Sequence, residues 1–200
     1  FNLTSGLFEW EHNYEQNPYL TLEQSVDSIA LNVPMVFQPG NMLAYDGAAM
    51  QVIGRVAEVL TGMNWQSIAE EYLFNKCEMP NSEYNLLNLG INPGIPGGVK
   101  TSPVEYLNFL RMINNNGVYD DEQVLSESSI QEFFTNQTSG LPILYSPWPE
   151  DHPYYPYDAE NLYYGFGTWI LAENPVSGEV EEITHPGMFG PFPWSDNVRN

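Results

Sequence analysis

An α+β domain is the fold class predicted by this 200-residue sequence, on three observations. Helical periodicity fills most of the chain, the strand-like runs come at its end, and the apolar content matches one buried core. Hydrophobic residues make up 42% and aromatic residues 14%, too much ring and aliphatic surface for a disordered chain. The expectation is one domain over residues 1–200, mainly helical with loops to about residue 160 and carrying sheet strands over 161–200.

In order, Asn17-Pro18 and Gln38-Pro39-Gly40 punctuate the first forty residues around a short helix at about residues 20–30. Over residues 48–60, Ala49, Val52, Ile53, Val56, Ala57 and Leu60 recur at steps of three and four, predicting a helix with that stripe buried and Thr61-Gly62 as its stop. A second helix over residues 64–74 carries Trp65, Ile68, Ala69, Tyr72 and Leu73 and is expected to lie antiparallel to the first. Four glycines and two prolines make residues 90–98 a loop. Ser102 then caps a third helix with Pro103 in its first turn and Val104, Leu107, Phe109, Leu110 and Ile113 along it. Ser126 opens a shorter helix reaching about Phe134. In residues 136–160, Pro142, Pro147, Pro149, Pro153 and Pro156 alternate with Trp148, Tyr154, Tyr155 and Tyr157, an aromatic loop that suits a pocket rim or a packed surface equally. Residues 163–172 and 180–184 read as two strands of one hairpin, and two strands do not hold alone, so further partners are expected outside this sequence.

The net charge of -21 comes from 26 acidic against 5 basic residues, yet charged residues total only 16%, so the acidity is a shortage of lysine and arginine. Such a chain cannot neutralise a run of phosphates, which excludes a nucleic-acid partner and disfavours an anionic membrane surface. No apolar run reaches the roughly 20 residues of a membrane span, and the first residues lack the basic and hydrophobic stretches of a signal peptide. Cys77, the single cysteine, excludes an internal disulfide framework and any CxxC site within the chain. Asp120-Asp121-Glu122 and Glu179 with Glu181-Glu182 read as solvated acidic turns, and His12 and His152 lack a second ligand at helical spacing, so no metal and no cofactor are assigned. Asn2-Leu3-Thr4 and Asn136-Gln137-Thr138 fit the N-glycosylation acceptor, Asn136 being the better placed in a secreted protein.

Hydrolytic chemistry needs a nucleophile, a base and oxyanion donors, usually drawn from distant parts of a chain. Tyr45 stands at the entrance of an apolar helix, within Pro39-Gly40-Asn41-Met42-Leu43-Ala44-Tyr45-Asp46-Gly47. His185 ends a strand, before Pro186 and a Gly187 that permits close approach. Each has a plainer reading as well, Tyr45 as a packing residue and His185 as a turn residue.

Taken in order, the pieces resemble the serine β-lactamase and penicillin-binding protein superfamily, in its class C-like branch of β-lactamases, esterases and D-amino-acid peptidases. Phe1-Asn2-Leu3-Thr4-Ser5-Gly6-Leu7 is similar to that branch's "LLxHTSGL", with Leu3 where histidine is common. Phe37-Gln38-Pro39-Gly40 with Tyr45-Asp46-Gly47, Gly97-Gly98-Val99-Lys100-Thr101-Ser102-Pro103, Tyr164-Gly165-Phe166-Gly167-Thr168-Trp169 and His185-Pro186-Gly187 resemble four further segments in the family's order. The resemblance implies a β-lactamase-like α+β fold, a helical subdomain plus part of an antiparallel sheet, cut at both ends. It implies Tyr45 as the general-base partner of a serine, His185 facing the bound carboxylate or ester, and the Met188 N–H as an oxyanion donor. Asp46, Gly47, Gly187, Trp148 and Tyr155 are the expected substrate contacts, although Gly47 replaces the asparagine of the family's Tyr-x-Asn. The family's nucleophile belongs to a Ser-x-x-Lys motif, which neither lysine supplies, since Leu73 precedes Lys76 and Gly97 precedes Lys100 by three. That motif is expected before Phe1. The implied function is hydrolysis of an ester, amide or β-lactam through an acyl-enzyme, the alternative being a catalytically inactive binding or structural module. The expected partners are a small ester, amide or peptide-like substrate and the preceding part of the same protein, in an extracellular or periplasmic setting.

Overall fold

The computed structural model describes residues 2–8, 11–85, 90–147 and 163–199. Its helices begin where the sequence supplies an oxygen to accept the first free N–H groups. Helix α1 (Leu22–Asn32) starts on a capping box between Thr21 and Gln24, and α2 (Gly47–Thr61) on Asp46, whose carboxylate accepts from the Ala48 N–H at 2.7 Å. Helix α3 (Trp65–Ala69) follows the Asn64 cap and runs on into a π-helical turn, Glu70–Phe74. Helices α4 (Pro103–Asn114) and α5 (Glu127–Phe133) start after Ser102 and Ser126. Gly62, at φ 71°, closes α2 in the left-handed conformation that glycine adopts at least cost.

Helix α2 packs between α1 and α3. A second core cluster, with Ala69, Phe74, Cys77, Met112, Ile113 and Ile130, joins α3 and its π turn to α4 and α5. The expected buried stripe of α2 is corrected here. Val56 and Leu60 are exposed, and the buried face is Ala48, Ala49, Gln51 and Gly54. Close packing selects these small residues, because a Cβ on Gly54 would lie 2.5 Å from Ile95 Cγ1. Gln51 is buried because its amide bonds Asn92 at 2.7 Å and Ser25 at 3.2 Å. Val104 and Leu107 of α4 are likewise exposed.

Strands are not confined to the end of the chain. Strand β1 (Leu43–Ala44) pairs in parallel with β6 (Ile143–Tyr145), while β2 (Glu83–Tyr84) with β3 (Val99–Lys100), and β4 (Val118–Tyr119) with β5 (Glu122–Gln123), form antiparallel pairs. Most of these are two residues long, too short to display a period of two. Asp120 and Asp121, at φ 47° and 64°, are the two-residue turn between β4 and β5.

The run 163–172 is two strands rather than one. Strand β7 (Tyr163–Tyr164) turns through Gly165 to Thr168 into β8 (Trp169–Glu173), with Gly167 at φ 82° and the Gly165 N–H donating to the Thr168 carbonyl at 2.8 Å. Strand β9 (Val180–Thr184) follows, and β10 (Trp194–Asp196) completes an antiparallel sheet in the order β10-β9-β8-β7. The reading that the hairpin's partner strands are all missing from the sequence is therefore corrected, since β7 and β10 flank it from within. The aromatic stretch around Trp148 and Tyr155 lies outside the described residues.

Candidate functional site

Tyr45 occupies the single residue between β1 and the Asp46 cap of α2, and its backbone is fixed from both sides. Its N–H donates to the Tyr145 carbonyl of β6 and the Ala44 N–H to the Leu3 carbonyl, each at 3.0 Å. His185 follows β9 directly, and after it the Gly187 N–H donates to the Pro191 carbonyl at 2.9 Å, folding residues 187–191 into a tight turn. These two anchored segments bring Tyr45 Oη to 3.4 Å from His185 Nε2, across 140 residues of sequence. With its proton on Nδ1, His185 accepts from the phenol at the long end of hydrogen-bonding distance.

Both residues rest on an aromatic bed. The Tyr45 ring stacks on Trp169, with centroids 5.4 Å apart and planes at 22°. Tyr164 meets Trp169 edge-on at 4.8 Å and His185 edge-on at 6.4 Å. Leu3 and Leu43 close the cluster below. Burial, with a smaller contribution from Tyr145, pushes the Tyr45 phenol up to about 12, and burial pulls the His185 imidazole below its ordinary value. At neutral pH both groups are uncharged.

The chain's five cations are committed elsewhere. Arg55 pairs with Glu23 and Glu58, Lys76 with Glu122, Lys100 with Glu83, and Arg199 with Glu182 and Asp196, while Arg111 lies over the Tyr119 ring. Among the described residues, no cation contributes to the shift of Tyr45.

A cavity of about 660 Å³ opens beside His185, bordered by Tyr164, Thr184 and Ser195 on the sheet side and by Met50 and Phe109 on the helical side. The other expected site residues take distinct places. Asp46 is buried with one carboxylate oxygen on the Ala48 N–H. Gly47 sits where a Cβ would lie 2.7 Å from Glu15 Cγ and 3.0 Å from Pro96 Cγ, so a side chain at this position requires Glu15 and Pro96 to shift. Gly187 approaches Pro191 closely, and the Met188 side chain is exposed in the turn after His185. Trp148 and Tyr155 lie outside the described residues. Sequence reasoning missed Trp169 and Tyr164 as neighbours of Tyr45, and the signal that finds them is strand register: Trp169 pairs with Tyr164 on β7 and with Thr184, the residue before His185, on β9.

The family model for beta-lactamase matches residues 1–200. The chain belongs to the beta-lactamase family. No curated protein matches its sequence. Among solved structures, this beta-lactamase-family chain is similar to a Bacteroides dorei protein assigned to the beta-lactamases, at 28% identity and a TM-score of 0.83, covering 98% of this chain and 58% of that one. It also resembles the penicillin-binding protein of Bacillus halodurans, at 18% identity and a TM-score of 0.62 over 93% of this chain and 58% of that one. For the octameric penicillin-binding protein homologue of Pyrococcus abyssi, the identity is 16% and the TM-score 0.69, over 98% and 48%. The chain thus spans about half to three-fifths of the length of these structures, and the beta-lactamase-like α+β fold is common to all of them.

Proposed function

We propose that the protein containing this chain is a serine hydrolase that cleaves a small ester, amide or β-lactam through an acyl-enzyme, with the nucleophile in a segment outside these 200 residues. The observation that carries the reading is the meeting of Tyr45 with His185 at 3.4 Å, where His185 borders a cavity large enough for a small substrate and Tyr45 lies behind it. In the proposed step, the serine Oγ bonds to the substrate carbonyl carbon while its proton passes to the Tyr45 phenolate. The bond from the carbonyl carbon to the leaving group then breaks as the leaving group takes that proton back from Tyr45. Water, giving a proton to the regenerated phenolate, attacks the acyl carbon and releases the serine, which regains the proton from Tyr45. A phenol held near 12 works as a base only beside a cation. The lysine of a Ser-x-x-Lys segment, contributed by the preceding part of the same protein, fills that need. His185, uncharged, orients the phenol and faces the substrate, with the Met188 N–H as an oxyanion donor.

The test uses the full-length protein. A fluorophosphonate probe labels it covalently, a small chromogenic ester is turned over, and Tyr45→Phe lowers turnover by roughly 10² to 10⁴ while the fold is kept. Absence of labelling, or unchanged turnover in Tyr45→Phe, overturns the mechanism.

The second reading, a catalytically silent binding module, is favoured by the burial that holds Tyr45 protonated and by the close approach of Glu15 and Pro96 to position 47. Labelling distinguishes the two.

A further inference from the structure

We propose that Trp169 is the positioning residue of this site, the side chain that sets where the Tyr45 phenol stands relative to His185. The inference deepens the hydrolase reading and rests on it for its catalytic meaning. Its structural content stands on strand register and ring geometry.

Trp169 opens β8, the strand between β7 and β9, and its backbone partners are Tyr164 on one side and Thr184 on the other. Trp169 is 3% exposed, so its position is set by packing rather than by solvent. One face carries the Tyr45 ring at 5.4 Å and 22°, while Tyr164 abuts it edge-on at 4.8 Å. Trp169 is therefore tied through the sheet to the residue preceding His185 and through its ring to Tyr45. The Tyr45 backbone hangs on β6, and that of the preceding Ala44 on the Leu3 segment, which belong to neither β8 nor β9. The stacked indole fixes the phenol against the sheet that carries His185. The Tyr164 backbone is in turn anchored, its N–H donating to Thr138 Oγ1 at 2.8 Å and its carbonyl accepting from the Gln137 N–H at 3.0 Å. The titratable groups around the phenol are Tyr145 from β6, Tyr164 from β7, His185 after β9 and Asp46 on its own segment. Removing the indole opens the phenol to water without removing any of them.

The experiment compares wild type, Trp169→Phe and Trp169→Leu in the full-length protein labelled with ¹³C-tyrosine, following Tyr45 by NMR as pH is raised, alongside ester turnover. Trp169→Leu is expected to move the Tyr45 ring protons downfield through loss of the indole ring current. It is also expected to bring the titration from about 12 toward 10 and to lower kcat roughly 10- to 100-fold with KM little changed. Trp169→Phe keeps a stacked ring and gives smaller changes in the same directions. A folded Trp169→Leu protein in which Tyr45 titrates and resonates as in wild type overturns the proposal. Should the leucine variant fail to fold, an unchanged Tyr45 in Trp169→Phe overturns it equally. If the Tyr45 signals follow Trp169 while Tyr45→Phe leaves turnover intact, positioning stands and the hydrolase reading falls.

Discussion

Tyr45 and His185 meet as two uncharged groups, and burial is the main cause at each. The phenol is raised to about 12 in the folded state, so its contribution to stability is full below its unfolded value near 10 and is lost as pH rises through about 12. Tyr84, raised to about 12 by its own burial, adds to the same alkaline loss. His185 has the opposite sign. Its folded value is depressed, so its contribution is present above about 6.5 and is lost as pH falls through the lower folded value. Urea-denaturation midpoints are therefore expected to be highest between about pH 7 and 10 and to fall on both sides, with Tyr45→Phe flattening the alkaline limb. At position 47, the sequence shows glycine in place of the family's asparagine, and the structure supplies a steric reason in Glu15 and Pro96. Gly47→Ala is expected to destabilise by about 1–3 kcal/mol through overpacking, measured by the same titration. The pairing of Tyr45 with His185 was legible from ordered motifs. Trp169 as a ring neighbour of Tyr45 was not, because a stacking partner on another element leaves no local pattern.

At the level of the element, the start of α4 was readable from its Ser102 cap, while the Asp46 cap of α2 was read as a substrate contact instead. Asp46, Asn64, Ser102 and Ser126 each accept from a backbone N–H of the first turn. Replacing Asp46 by alanine removes the acceptor of the Ala48 N–H and is expected to cost about 0.5–2 kcal/mol, seen as a lower Tm. The strands were harder to read. Residues 163–172 alternate too weakly to reveal a reversal, and only Gly165 and Gly167 mark it. Gly167, at φ 82° with open space around its Cα, tolerates a side chain sterically but not conformationally. Gly167→Ala is expected to destabilise by about 1 kcal/mol and to loosen the β7–β8 turn, detected as faster amide exchange at Gly165. The buried face of α2 escaped the periodicity argument because a glycine and a hydrogen-bonded glutamine serve there as core residues, while valine and leucine face solvent.

Across the whole molecule, a net charge of -21 sets acidic side chains against one another, and the few cations already have partners. Added salt screens this repulsion, so Tm is expected to rise between about 10 and 150 mM sodium chloride, more than for a variant in which several exposed glutamates become glutamine. The α+β class was legible in the sequence, whereas the short strands lying among the helices were not. The four-stranded sheet was not, because β10 lies in a Pro- and Trp-containing stretch without alternation. The 140-residue separation between Tyr45 and His185 bears on the time course of folding. Helices α1 and α2 are close in sequence and can form early, whereas the site closes only after a very long loop has been brought together. In refolding, the far-ultraviolet helix signal should therefore recover before the near-ultraviolet signal of the stacked rings, so that the site takes its shape after the helices do.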